Sequence, residues 1–270
     1  AAAKVAFQLQ PPAIKRALMV SDLEGEAAVK YAESTKGFFT AVDLEWEIVG
    51  RDGFKTVKDL LDLTKAKQPD FIVTYRHLHS DAWHWPYSLG EHLDVLIQVT
   101  EPPIVIMPHP DRDGIPEHAM RNTDDVMAIN THLAGEDALV NHAVFFTRLG
   151  GTLHLTHVED ELALERTLDA ISKIPEIDTD VARETLRAQL LDEPSDYIDS
   201  CEAVLQEQGV DLKVKKHVTY GRRLEEYRRA VEENRVDLVV LQGHDADQFA
   251  MNATAYSLAV ELRTTPLLIV

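Results

Sequence analysis

Two hydrophobic spacings alternate along this chain. Short, nearly continuous apolar runs occur at 17–20, 44–49, 70–74 and 104–107, and again at 126–130, 152–158, 212–218, 236–241 and 267–270. Such runs predict strands covered on both faces. Between them, apolar residues recur every three or four positions. Val57, Leu60 and Leu61 do so, as do Ala138, Leu139, Ala143 and Phe146, and Leu224, Tyr227 and Val231. That spacing predicts amphipathic helices over 24–36, 56–66, 90–100, 135–149, 222–234 and 253–263. Gly150-Gly151 and Gly209 sit where helices end. A long acidic, helix-prone stretch runs to about Gln208, and Pro194 is expected to interrupt it. Helices alternating with short strands imply parallel pairing through right-handed crossovers.

The pattern repeats. Asp70-Phe71-Ile72-Val73 is followed by a polar loop, a helical stretch and Ile104-Val105-Ile106-Met107 behind Pro103. Asp237-Leu238-Val239-Val240-Leu241 is followed by the same succession, ending in Leu267-Leu268-Ile269-Val270 behind Pro266. The spans match, 33 residues from Asp70 to Pro103 and 29 from Asp237 to Pro266. Two copies of one unit are therefore expected. The first is abridged: Asp22 to Asp70 spans 48 residues where Thr131 to Asp237 spans 106, so one strand–helix pair is missing or reduced. The expected domains are 12–108 and 122–270, joined by a Pro- and Asp-rich linker over 109–121. The fold class is α/β, with two doubly wound parallel-sheet domains of Rossmann-like type.

Composition narrows the partners. The net charge is −19. Residues 1–121 carry 13 Lys and Arg against 18 Asp and Glu, and residues 122–270 carry 14 against 28. Such a surface is repelled by nucleic acid and by anionic membranes, so neither is an expected partner. Cys201 is the single cysteine and falls on an apolar helix face with Ile198, Val204 and Leu205, an inert core thiol. No run of 18 apolar residues and no signal-peptide pattern is present, so a cytoplasmic location is expected.

The segment 126–158, ending in His157-Val158, resembles the opening of the universal stress protein family. The segment 236–270 resembles its close: a strand led by Asp, a Gly243-His244 loop, a helix, and Pro266 before the last strand. Gly221 stands where the family opens its third helix with glycine. The similarity covers most of 12–108 and 122–270, in the manner of the tandem two-domain members. The resemblance implies a five-stranded parallel α/β unit, related to adenine-nucleotide-hydrolase-like folds. It also implies pairing of Ile104–Met107 with Leu267–Val270 as an internal pseudo-dimer; a further homodimer is compatible with it.

ATP-binding members of that family carry an acidic residue after the first strand, and a Gly-x-x-Gly, nine residues, Gly-Ser or Gly-Thr loop. Glycines let backbone N–H groups approach phosphate oxygens at a helix N-terminus. Neither copy keeps the whole set. The first has Asp22 and Gly90, but Tyr75-Arg76-His77-Leu78 replaces Gly-x-x-Gly, and Trp83, Trp85 and Tyr87 are expected to crowd the phosphate channel. The second keeps Gly243, but Ala246 replaces the second glycine, the loop is three residues short, Asp245 and Asp247 add negative charge, and Thr131 replaces the acid. The resemblance implies nucleotide-binding candidates at Asp22, Gly90, Val158, Gly243, His244 and Thr254. Thr254 is expected to cap the helix from Ala253, and Gly243→Val to block an anion with modest effect on the fold. The cofactor would be ATP or another adenine nucleotide, if any.

Other chemistry is weaker. His77 and His79 would share one side of an extended segment, an acceptable spacing for a metal. His154 and His157 face opposite sides of a strand and cannot hold one ion together. Asp22, His77 and Ser88 lack the Gly-x-Ser-x-Gly turn of a hydrolase. The run Arg222, Arg223, Arg228, Arg229 alternates with glutamates and reads as a salt-bridged surface. The reading is a non-enzymatic stress-response protein that binds a small ligand or a protein partner, with degenerate ATP loops in both copies. The alternative is an ATP-binding, slowly hydrolysing switch.

Overall fold

A computed structural model describes residues 5–85, 87–243 and 251–270. His244, Asp245, Ala246 and Asp247 lie outside the described residues. The first half runs β1 (Arg16–Val20), α1 (Gly25–Phe38), β2 (Glu45–Val49), α2 (Val57–Lys67), β3 (Phe71–Tyr75), α3 (Glu91–Val99) and β4 (Ile104–Met107). The second runs β5 (Asp125–Ile129), α4 (Asp137–Phe146), β6 (Thr152–Asp160), α5 (Glu161–Ile171), α6 (Thr179–Glu207), β7 (Lys213–Gly221), α7 (Arg223–Glu233), β8 (Leu238–Leu241), α8 (Ala253–Glu261) and β9 (Leu267–Ile269).

All nine strands form one sheet in the order β2-β1-β3-β4-β9-β8-β5-β6-β7. Every neighbouring pair is parallel except β4 and β9, which run antiparallel with Val105 opposite Leu268. The sheet is thus two wound units joined edge to edge by the strands that end each repeat. The first lacks a counterpart of β7 and of the α5–α6 region, which accounts for its shorter span. The central strands β3, β4, β8 and β9 are buried throughout, as their unbroken apolar runs require. The outer strands are polar: β7 exposes Lys213, Lys215 and Lys216, and β2 exposes Glu45 and Glu47. Charged outer strands resist pairing with other chains.

The repeated aspartates have a common task. Asp70 accepts the Arg16 amide at 2.7 Å, and Asp237 accepts the Asp125 amide at 2.9 Å. Each carboxylate satisfies the first N–H of its half's opening strand. The helix α2 starts on a capping box, Thr56 with Asp59.

Two expectations change. Pro194 does not end a helix; it lies inside the 29-residue α6. The break falls instead between α5 and α6. Outside the expected domain bounds, the segment before residue 12 packs on the second half, the amides of Phe7 and Gln10 donating to Ser200 Oγ at 3.0 Å and Asn141 Oδ1 at 2.8 Å. The segment after β3 is not extended, because His77 and His79 both have φ of 58°. No helix of the described residues is long and apolar enough to cross a membrane.

Candidate functional site

In a wound parallel sheet the ligand mouth lies at the carboxyl ends of the strands. The antiparallel junction of β4 and β9 puts the two mouths at opposite ends of the molecule.

In the first half, Asp22 follows β1. Its side chain accepts from the Tyr75 hydroxyl and, at 2.7 Å, from the His79 amide. The same hydroxyl accepts the Asp22 amide at 3.0 Å and lies 3.1 Å from Ser21 Oγ. Tyr75 ends β3 and stands where the family pattern has its first glycine. Burial, then the Asp22 carboxylate, hold its phenol well above the usual range, so it stays a donor. The left-handed backbone of His79 aims its amide at Asp22; left-handed geometry is uncommon without glycine. Trp83 lies flat on His109, centroids 4.5 Å apart, and His109 meets the Tyr75 ring at 5.1 Å. Burial pulls the His109 ring down to about 4, leaving it neutral. A side-chain hydroxyl and a backbone amide of the chain itself are therefore bonded to the carboxylate expected to meet a nucleoside.

Gly90 caps α3 with φ of 93°. A Cβ there would come within 2.8 Å of the His77 Cα, so the glycine is required by a backbone crossing. Trp85 and Tyr87 do not crowd the channel; they are 63% and 79% exposed, and only Trp83 packs inward. The turn at His77 and His79 removes the extended geometry on which a metal pair was premised. The His79 ring packs between Phe54 and His92 instead, at 4.7 and 5.6 Å. Among the described residues, no group of three or more His, Cys, Asp or Glu is placed to hold a metal ion.

At the second mouth a different tyrosine ties the described strand ends together. Tyr227 of α7 donates its hydroxyl to the Asn130 carbonyl at 3.1 Å and accepts the Val158 amide at 3.2 Å. The Val158 carbonyl accepts from Arg223 Nε at 3.1 Å. Both backbone groups of Val158, the expected contact for a base, are thus taken internally. Burial pushes the Tyr227 phenol up to about 12. The described residues of this mouth, Asn130, Thr131, Gln242 and Thr254 among them, enclose about 10 Å³, close to what one water needs.

Two expectations for this mouth are corrected. Thr254 does not cap α8. Asn252 does, its side chain accepting the Thr254 and Ala255 amides at 2.9 and 3.4 Å. Gly243→Val would not be mild, because a Cβ at Gly243 lies 2.5 Å from Ile269 Cγ2. The expected site residues therefore fall into two groups that never meet, Asp22 with Gly90 at one end and Val158, Gly243 and Thr254 at the other. His244 lies outside the described residues.

Sequence reasoning missed Tyr75, Tyr227 and Arg223. An aromatic residue at the glycine position after a buried strand was a usable signal for Tyr75. Arg223 was read as surface, yet it reaches Val158 and Glu159, the latter at 3.9 Å. Of the rest of that run, Arg222 pairs with Glu225 and Arg229 with Glu226 and Glu233, as expected, while Arg228 reaches across to Glu261 of α8.

Residues 126–258 match the universal stress protein family. No curated protein matches the sequence. Among solved structures, the chain is similar to a universal stress protein from Archaeoglobus fulgidus DSM 4304, with 14% identity, a TM-score of 0.53, and 94% of this chain and 95% of that one covered. It is also similar to a putative universal stress protein from Pseudomonas aeruginosa UCBPP-PA14, with 12% identity, a TM-score of 0.55, and 96% and 94% covered. A functionally unknown protein from Pseudomonas aeruginosa PAO1 gives 12% identity, a TM-score of 0.52, and 96% and 93% covered. At these identities the likeness is one of fold, and it extends over both halves. Residues 126–258 are thus a universal stress protein family domain, set in a longer α/β fold that its structural neighbours share over nearly their whole length.

Proposed function

We propose that this chain is a cytoplasmic, non-enzymatic stress-response protein whose two halves act as an internal pseudo-dimer, binding a small ligand or a protein partner without using ATP. One observation carries the reading: the Tyr75 hydroxyl and the His79 amide occupy the Asp22 carboxylate. A ribose hydroxyl would have to compete at the half-buried Asp22 with two hydrogen bonds already in place, each worth about 1.5–3 kcal/mol to a charged acceptor. The second mouth supports the same reading, since the Val158 amide is bonded to Tyr227 and its carbonyl already accepts from Arg223.

Isothermal titration of the whole chain with ATP and magnesium tests this. The expected result is no micromolar binding. Micromolar ATP affinity in the unaltered protein would overturn the reading and favour the ATP-dependent switch.

A further inference from the structure

Three arginines converge where the two halves join, and none pairs with a carboxylate among the described residues. Arg76 follows β3 and is 3% exposed. Its Nη2 donates to the Ala259 and Leu262 carbonyls, the second at 3.0 Å, closing the C-terminal end of α8. Arg263 is the next residue after Leu262. Arg112 sits in a turn after β4, its amide donating to the His109 carbonyl at 2.9 Å. The His109 ring in turn packs on Tyr75, the neighbour of Arg76. Three separate segments therefore bring arginines to one corner, close enough for their charges to act on one another.

Among the described residues, four of their buried nitrogens have no acceptor: Arg76 Nε and Nη1, Arg112 Nε and Arg263 Nη1. Burial pulls Arg76 below the usual guanidinium range, and the charges of Arg263 and then Arg112 pull it further. Arg263 is lowered in the same way, by burial and then by Arg112. Among the described residues, no carboxylate is placed to offset them. This is not for want of acids, since the chain has 46 Asp and Glu. Ten of the other twelve arginines have a carboxylate within 4.0 Å. Uncompensated like charges in a partly buried corner are costly. Water would satisfy the N–H groups but not the charge. A tetrahedral oxyanion would satisfy both, because each planar guanidinium can present paired N–H donors to it.

We propose that Arg76, Arg112 and Arg263 form a binding site for a small doubly charged oxyanion, either free phosphate or the phosphoryl group of a small metabolite. The site does not depend on the ATP reading, as a protein that ignores ATP can still bind phosphate at this junction.

The experiment is thermal unfolding of the whole chain in potassium chloride and in potassium phosphate, at one pH and matched ionic strength. Phosphate is expected to raise Tm saturably above the chloride value. Arg76 also closes α8, so the informative variants are Arg112→Gln and Arg263→Gln. In chloride, each is expected to leave Tm unchanged or raise it, because a like charge is removed. In phosphate, each is expected to weaken the apparent Kd at least about tenfold, the loss of one charge-assisted contact. A merely structural arginine would give no such inversion. Phenyl phosphate distinguishes the sources: binding tighter than inorganic phosphate assigns the site to a phosphorylated metabolite, and equal or weaker binding assigns it to the free ion. Equal Tm in phosphate and chloride, or variants that respond to phosphate as the unaltered chain does, would overturn the proposal.

Discussion

At Asp70 and Asp237 the same residue does the same job in two surroundings. Each carboxylate accepts the leading amide of its half's first strand. Asp70 is held below the usual carboxylate range, mainly by the Arg16 amide. Asp237 is 5% exposed and lies beside Asp125 and Asp124, and burial pushes it up to about 6. The signs differ accordingly. A raised acid stabilises the fold only while protonated, so stability is lost as pH rises through 3.8 toward 6. A lowered acid contributes above pH 3.8 and loses its contribution as pH falls through its folded value. A carboxyl titrating near 6 costs up to about 3 kcal/mol once ionised. Partial relaxation around it brings the expected gain from Asp237→Asn at pH 7 to about 1–2 kcal/mol, since asparagine keeps an acceptor for the Asp125 amide. Urea unfolding should show that gain at pH 7 and not at pH 3.5; no gain at pH 7 would sink the account. Asp70→Asn should destabilise at pH 7. The repeat made both aspartates legible in the sequence, but their opposite titration depends on neighbours brought in by folding. Tyr75 is similar: its place at the glycine position could be read, while its bond to Asp22 needs β1 and β3 side by side.

Among the elements, α6 departs most from its sequence pattern. A proline within a helix removes one backbone bond and crowds the preceding turn, so a break at Pro194 was the expected result. The helix continues because its two parts rest on different supports. Before Pro194 it is a mostly exposed arm tied to α5 by Arg183 with Glu165 at 2.6 Å. From Pro194 onward it buries Tyr197, Ile198, Cys201 and Leu205 against the sheet. Packing of that second part outweighs the local preference. Cys201 behaves as its position suggested: it is buried, with a thiol pushed up to about 12. The magnitudes fix the sign of a test. Restoring the helix bond and removing the clash is worth about 3 kcal/mol. Losing two buried ring methylenes costs about 1.6 kcal/mol at about 0.8 each. Pro194→Ala is therefore expected to stabilise by about 1 kcal/mol in denaturant unfolding. A loss of 1 kcal/mol or more would mean that α6 needs the geometry the proline imposes. The strands were easier to read than this helix. An apolar run of four or five residues has few other places to go in a wound sheet, and β4 lies at 104–107 as expected.

Across the whole molecule, the junction of the halves is a continuous interior. Besides the β4–β9 ladder, Phe146 of α4 packs on Phe39 and Phe71, at centroid distances of 5.7 and 5.5 Å. Arg76 closes α8 from the other half, and the N-terminal strap lies on α4 and α6. The sequence repeat pointed to the strand pairing, since two closing strands of equal character suit a shared edge. It did not reveal Phe146 or the strap, whose contacts are between residues 75 or more positions apart and follow no local period. A chain cut to residues 122–270 would lose all of these contacts together. It would expose the β9 edge, Leu267 to Ile269, and the Phe146 face, and an open apolar edge recruits another strand. Such a fragment is expected to self-associate, with a mass by light scattering that rises with concentration. Added residues 1–121 should convert it to a one-to-one complex, because their β4 is the natural occupant of that edge. A 122–270 fragment that is folded and monomeric at high concentration, and indifferent to residues 1–121, would show that the halves are independent domains in contact and not two parts of one sheet.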